Sequence, residues 1–154
     1  MVKPEITINP DDLKRLRKKL TIKWFNIILS HCLDDASKIA KELVEDNIYR
    51  GMEKGIGWPP FAEATIRYKT KHARPLTGLV DTGKMHKSVL KRHTTKDATI
   101  TVNTPYATYH EHGTEHIPAR SFLGMVAKKK DQRNEVVKSF KKKLDKELNQ
   151  KWPK

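Results

Sequence analysis

The sequence predicts an α+β domain: a small, mostly antiparallel sheet flanked by a long N-terminal helix and a basic C-terminal helix. Three observations carry that reading. Apolar residues recur at three- and four-residue steps through the first fifty positions, a β-branched run (Thr99, Ile100, Thr101, Val102) lies mid-chain, and a second helical stripe follows near the end. The length of 154 residues fits one domain. A chain of that size buries roughly 68–70% of its unfolded surface, so it needs no disulfide or metal staple.

The first element spans about 10–49. Asn9 is placed to cap it, Pro10 to open it, and Asp11 and Asp12 suit the positive end of the helix dipole. Leu13, Leu16, Leu20, Trp24, Ile27 and His31 form its first apolar stripe; Ala36, Ile39, Ala40, Leu43 and Val44 form a second, running toward Tyr49. The phase changes near Leu33 to Asp35, which predicts a bend there or two helices. Gly51, Gly55, Gly57 and the pair Pro59-Pro60 end the helix and open a loop. Ala62, Thr65, Ile66 and Lys69 have helical spacing over 62–71, and 74–83 reads as an irregular connection. Two strands are expected at 88–94 and 98–102, joined by a turn at Thr95-Lys96-Asp97. Tyr106 to Glu111 forms a short helix or turn closed by Gly113. The final helix, 131–152, places Val137, Phe140, Leu144, Leu148 and Trp152 on one stripe with lysines outside, and Pro153 ends it.

The net charge is +14. Residues 128–154 hold eleven Lys/Arg against four Asp/Glu, a surplus of +7 and half of the total. A field of this kind favours polyanions or acidic protein surfaces and falls off over about 8 Å at physiological salt; the plainer role of such a run is a solvated helix face. The single cysteine, Cys32, has no intramolecular partner and fits a reducing compartment. No apolar run reaches the ~18 residues of a membrane span, and the N-terminus lacks the order of a secretory signal. The expectation is a soluble protein kept in a cytoplasm.

Chemistry-bearing motifs are few. His110-Glu111-His112-Gly113-Thr114-Glu115-His116 offers metal-ligand side chains, with His112 and His116 four apart. Gly113 interrupts the helix such a site needs, and the order departs from the His-Glu-x-x-His pattern. A metal-dependent hydrolase on this cluster is the weakest reading. Cys32 falls on a helix stripe and reads as core; Ser88 and Ser121 sit in no nucleophile elbow; no phosphate-binding loop follows the glycines. No catalytic residue, metal site or cofactor is assigned. Lys128–Lys130 and Lys141–Lys143 could neutralise phosphates, which keeps a basic nucleic-acid-binding module as the alternative, although no groove-reading motif accompanies them.

The central stretch, 58–124, is more specific. Trp58-Pro59-Pro60-Phe61 followed by Thr65 and Lys69 resembles a Trp-x-Pro-Leu…Thr…Lys signature. Leu79, Thr82-Gly83, Met85 and Ser88-Val89 are similar to a Leu-x-x-Thr-Gly-x-Leu-x-x-Ser-Ile block. Tyr106-Ala107, His110 and Gly113-Thr114 resemble a Tyr-Ala-x-x-His-x-x-Gly block. Ile117-Pro118-Ala119-Arg120-Ser121-Phe122-Leu123-Gly124 resembles Ile-Pro-Ala-Arg-Pro-Phe-Leu-Gly. Together these four blocks, in this order, resemble the phage virion morphogenesis (tail completion) family of P2-like and Mu-like phages.

That resemblance implies a non-enzymatic virion protein at the head–tail junction, present in the host cytoplasm during assembly. It implies a homo-oligomeric ring, a hexamer, with other phage neck or tail proteins as partners; the lysine clusters leave incidental non-specific DNA contact open, and the hydropathy predicts no membrane association. Three departures stand out. Ala62 replaces a capping serine or threonine, Ser121 replaces a proline, and Glu111-His112 occupies positions where glutamine and an aromatic residue are frequent. In this frame His110 reads as a hydrogen-bonding turn residue beside Gly113. Arg120, with five fixed donors, suits pinning backbone carbonyls or a carboxylate. The plainer role of Trp58, Phe61, Tyr106 and Phe122 is core packing.

Overall fold

A computed structural model describes residues 22–150. In chain order they form α1 (Ile22–Arg50), α2 (Glu63–Lys71), α3 (Lys84–Lys87), β1 (Val89–His93), β2 (Ala98–Val102), α4 (Ala107–His112), α5 (Gly124–Lys128) and α6 (Lys130–Gln150). The α+β architecture expected from the sequence is the one observed. The cap at Asn9 and Pro10, the dipole pair Asp11 and Asp12, the leucines at 13, 16 and 20, and the end at Trp152 and Pro153 lie outside the described residues.

The described part of α1 is one uninterrupted helix of 29 residues, about 43 Å long. It continues without a break through Leu33 to Asp35, where a bend or two helices were expected, so the two-helix alternative is not the one observed. Asn47 bonds Gln132 and His31 bonds Glu147, so α1 and α6 lie antiparallel along this seam. Val44 and Ile48 face instead a cluster with Met85, Val89, Ala107 and Phe122, against which Trp58, Leu79, Ile100, Val102 and Leu123 pack. The inward residues of the first half are Ile28 and Cys32, one position beyond the expected Ile27 and His31, both of which are exposed.

The C-terminal end of α1 is closed by a distant loop. Leu79 N–H donates to Ile48 O at 2.8 Å and the Thr77 hydroxyl donates to Tyr49 O at 2.9 Å, satisfying carbonyls that a helix end otherwise leaves open. This approach requires Gly78, since a Cβ there would stand 2.2 Å from Ile48 O.

β1 and β2 pair antiparallel, with Val89 opposite Val102, Lys91 opposite Ile100 and His93 opposite Ala98. Thr94 closes the turn: its N–H donates to Asp97 O at 2.8 Å, and its hydroxyl accepts from Lys96 N–H and Asp97 N–H. β2 matches its expected limits, and β1 falls one residue inside the expected 88–94 at each end, because Ser88 and Thr94 serve the flanking turns. Asp34 of α1 ties the hairpin down through Lys91 and through His93, the latter at 3.2 Å. No further strand joins either outer edge among the described residues.

α6 is rotated from the orientation its apolar stripe predicts. Its two buried residues are polar, Gln132 and Glu147, while Val137 and Leu148 are 43% and 37% exposed. Directional bonds set this rotation. The side-chain amides of Asn47 and Gln132 bond reciprocally at 3.1 and 2.8 Å, and Glu147 meets His31 and Lys143 at 3.1 and 3.4 Å. Buried amides without partners cost more than a few half-exposed methyl groups. No described helix is long and apolar enough to cross a membrane.

Candidate functional site

The four sequence blocks fold onto one another beside the core. Trp58 donates its indole N–H to Ser121 O at 2.9 Å. Arg120, 5% exposed, donates from Nε to Pro59 O at 3.1 Å and from Nη2 to Pro60 O at 2.8 Å. Its backbone N–H donates to His110 O at 2.7 Å, joining the third block to the fourth. Arg120 therefore pins carbonyls, the first of the two roles expected of it. The Trp58-to-Phe61 turn is held open by these bonds, and Ala62, which stands at the N-cap of α2, makes no side-chain cap.

Lys69 plays the matching part at the end of α2. It is 6% exposed, and its ammonium donates to Pro75 O, Gly78 O and Val80 O at 2.8, 2.9 and 2.8 Å. One point charge with three donors thus organises the irregular connection that runs back to α1. Burial pulls its pKa down, Asp81 offsets this in part, and Arg120 adds to the fall. Both cations stand over the Phe61 ring, each 4.9 Å from its centroid.

Glu111 is the residue that sequence reasoning misplaced. It is no departure of small consequence: one carboxylate oxygen accepts from the Ser121 hydroxyl at 2.6 Å and from Gly124 N–H at 2.9 Å. The other accepts from Phe122 and Leu123 N–H, both at 2.9 Å. It supplies from a distance the cap that Leu123, at the N-cap of α5, lacks. Burial pushes the Glu111 carboxyl up, but the Ser121 hydroxyl and the three backbone N–H groups outweigh it and hold the pKa below the usual carboxylate range. The metal reading of 110–116 gains no geometry from this. Both Glu111 oxygens are engaged, His112 and His116 are exposed, and no group of three metal-ligating side chains comes together among the described residues.

The remaining motif residues serve local roles. The Ser88 hydroxyl donates to Met85 O at 2.8 Å. Gly83, with φ of 76°, starts α3. Gly113, with φ of 77°, lets the chain pass so close to Ala119 that a Cβ would stand 2.8 Å from its nitrogen. The Thr114 hydroxyl accepts from Ile117 N–H at 3.0 Å. Ala107 and Phe122 are buried and Leu123 packs against them, whereas Tyr106 is 39% exposed and is not a core residue. Its ring stands edge-on to His110. The His110 side chain also departs from expectation: its Nδ1 is buried without a hydrogen-bond partner. Burial, then Arg120 and Lys69, lower its pKa, so the ring is held neutral.

Between α2, the Pro60-Phe61 turn and the 116–120 loop lies a groove of about 600 Å³. Thr65, Lys69, Leu79, His110, Pro118 and Arg120, from all four blocks, line it. A second hollow of about 390 Å³ adjoins it across Leu79, Asp81 and His110 and takes in Thr82 and Gly83. The arrangement anchors loops and presents a groove; it brings together no nucleophile, base and oxyanion donor. No family model, curated protein or solved structure matches the chain.

Proposed function

We propose that the chain is a non-catalytic structural component of a tailed-phage particle. In this reading it completes the tail or joins tail to head as a neck or tail-terminator ring, hexameric by the resemblance drawn from the sequence. Its partners are copies of itself and other neck or tail proteins. The observation that supports the reading is the mutual closure of the four blocks: Trp58 on Ser121, Arg120 on Pro59 and Pro60, His110 on Arg120, and Lys69 on Val80 within the second block's span. Residues with chemical potential hold loops in place, as an assembly module requires. Exposed Tyr49, Leu76, Leu90 and Tyr109, with two sheet edges unpaired among the described residues, supply surface for head-to-tail contacts. The test is to add purified protein to tail tubes assembled without it and image them by electron microscopy. New density at the tube end is the expected result. Bare tube ends, together with infectious particles from a phage deleted for the gene, would sink the reading.

The lysine face of α6 favours a second reading. Lys138, Lys141, Lys142 and Lys146 are all exposed, and such a face can neutralise duplex phosphates. A nucleic-acid-binding module predicts micromolar duplex affinity that falls steeply and linearly with log salt. Absence of that slope dismisses it.

A further inference from the structure

The groove between α2 and the 116–120 loop combines an apolar lining with two buried cations, against which its lining sets one acid, Asp81. Pro60, Phe61, Tyr68, Ile117 and Pro118 supply much of its apolar wall. Lys69 and Arg120 lie buried beneath it, and both are bonded only to backbone carbonyls. The single acid on the lining, Asp81, is shared with Arg74 at 3.2 Å. Arg120 uses two of its five N–H donors. His110 stands on the wall with Nδ1 unpartnered and its ring kept neutral by burial and by the two cations. A volume of about 600 Å³ lies within the range of about 300–1,000 Å³ that recognition pockets occupy. A cationic guest is repelled here, and a purely apolar one leaves the guanidinium unanswered. A carboxylate carried on an apolar body meets both demands.

We propose that this groove is a docking site for a short segment of a partner protein in which a carboxylate side chain adjoins an apolar one. The apolar side chain lies over the Phe61 ring and the carboxylate faces Arg120. The net charge of +14 draws acidic partners to the chain in the first place. The proposal does not depend on the phage reading, and its test uses the isolated full-length chain, so either can fail alone.

The test is a titration followed by two-dimensional amide and histidine-ring NMR. Three probes are compared: the acetylated, amidated peptide Leu-Glu-Phe, its neutral counterpart Leu-Gln-Phe, and free 4-phenylbutyrate. The acidic peptide is expected to shift Phe61, Ile117 and His110 with a dissociation constant of about 1 mM or tighter, and to raise the His110 pKa on binding. The glutamine peptide is expected to bind about tenfold more weakly. Because Arg120→Gln risks releasing the Pro59-Pro60 turn, the reporting variant is Tyr68→Ala, half exposed on the rim, with an expected loss of about fivefold. Equal binding of the two peptides would overturn the proposal. So would shifts confined to the α6 lysines, binding of 4-phenylbutyrate as tight as that of the peptide, or Phe61 and Ile117 signals that broaden with protein concentration alone.

Discussion

Replacing Glu111 by alanine removes one acceptor from four donors at once: the Ser121 hydroxyl and the N–H groups of Phe122, Leu123 and Gly124. A hydrogen bond to a charged group contributes about 1.5–3 kcal/mol net, and an orphaned buried donor costs about 1–3 kcal/mol. The site is half-buried, so water re-solvates part of it, and bonds to a single carboxylate do not add independently. The expected loss is about 3–4 kcal/mol, or roughly 10 °C in melting temperature for a domain of this size. Glu111→Gln keeps one acceptor oxygen and turns an NH2 toward donors; about half of the loss is expected. Urea denaturation at neutral pH measures both. The pH dependence supplies a separate check. The folded carboxyl titrates below its ordinary value, so its contribution is complete above the ordinary carboxylate range and disappears as pH falls through the depressed folded pKa. Glu111→Gln should lack that acid-side decline. A loss under about 1 kcal/mol in the alanine variant, or parallel acid profiles for wild type and Glu111→Gln, would refute the remote-cap reasoning.

Three further outcomes follow from the same geometry. Lys69→Met leaves the carbonyls of Pro75, Gly78 and Val80 without their shared donor and should cost about 3 kcal/mol in denaturant unfolding; Lys69→Arg should recover little, because a planar fork does not match three convergent acceptors. Asn47→Leu and Gln132→Leu should each destabilise by about 1–3 kcal/mol while the double variant costs less than the sum, retaining the loss of the Asn47 donor to Phe122 O, and a double-mutant cycle showing simple additivity would contradict the reciprocal amide pair. For His110 the folded pKa lies below the unfolded one, so the unfolded chain binds the extra proton and stability falls as pH drops below about 6.5; His110→Phe should flatten that part of the curve.

How far the sequence discloses this fold depends on whether a contact leaves a mark on the chain. The hairpin is legible because its β-branched run and polar turn act locally, and the breaks at Gly51 and Pro59-Pro60 are legible because they restrict the backbone directly. The rotation of α6 is not. Its richest apolar stripe passes through Val137 and Leu148, but the face that meets α1 is chosen by Gln132 and Glu147, whose partners lie 85 and 116 residues away. Glu111 is hidden for a related reason. Three of its four donors are backbone N–H groups, which every non-proline residue carries and no sequence pattern distinguishes. Arg120 and Lys69 stood out as motif positions, and a pinning role was readable for Arg120. That both would stand against one aromatic ring needed the tertiary arrangement.

The seam between α1 and α6 has a mechanical consequence. Its alignment comes from a few directional bonds, and these lie beside apolar residues of α1, Ile28 and Cys32, that are fully buried. A slip of one turn separates both amides and the Glu147–His31 contact together, so the seam has one register. Amide hydrogens along α6, whose side chains are mostly exposed, should exchange through partial opening at lower free energy than those of α1 around Val44 and Ile48. The two long helices thus behave as a keyed joint, strict in placement.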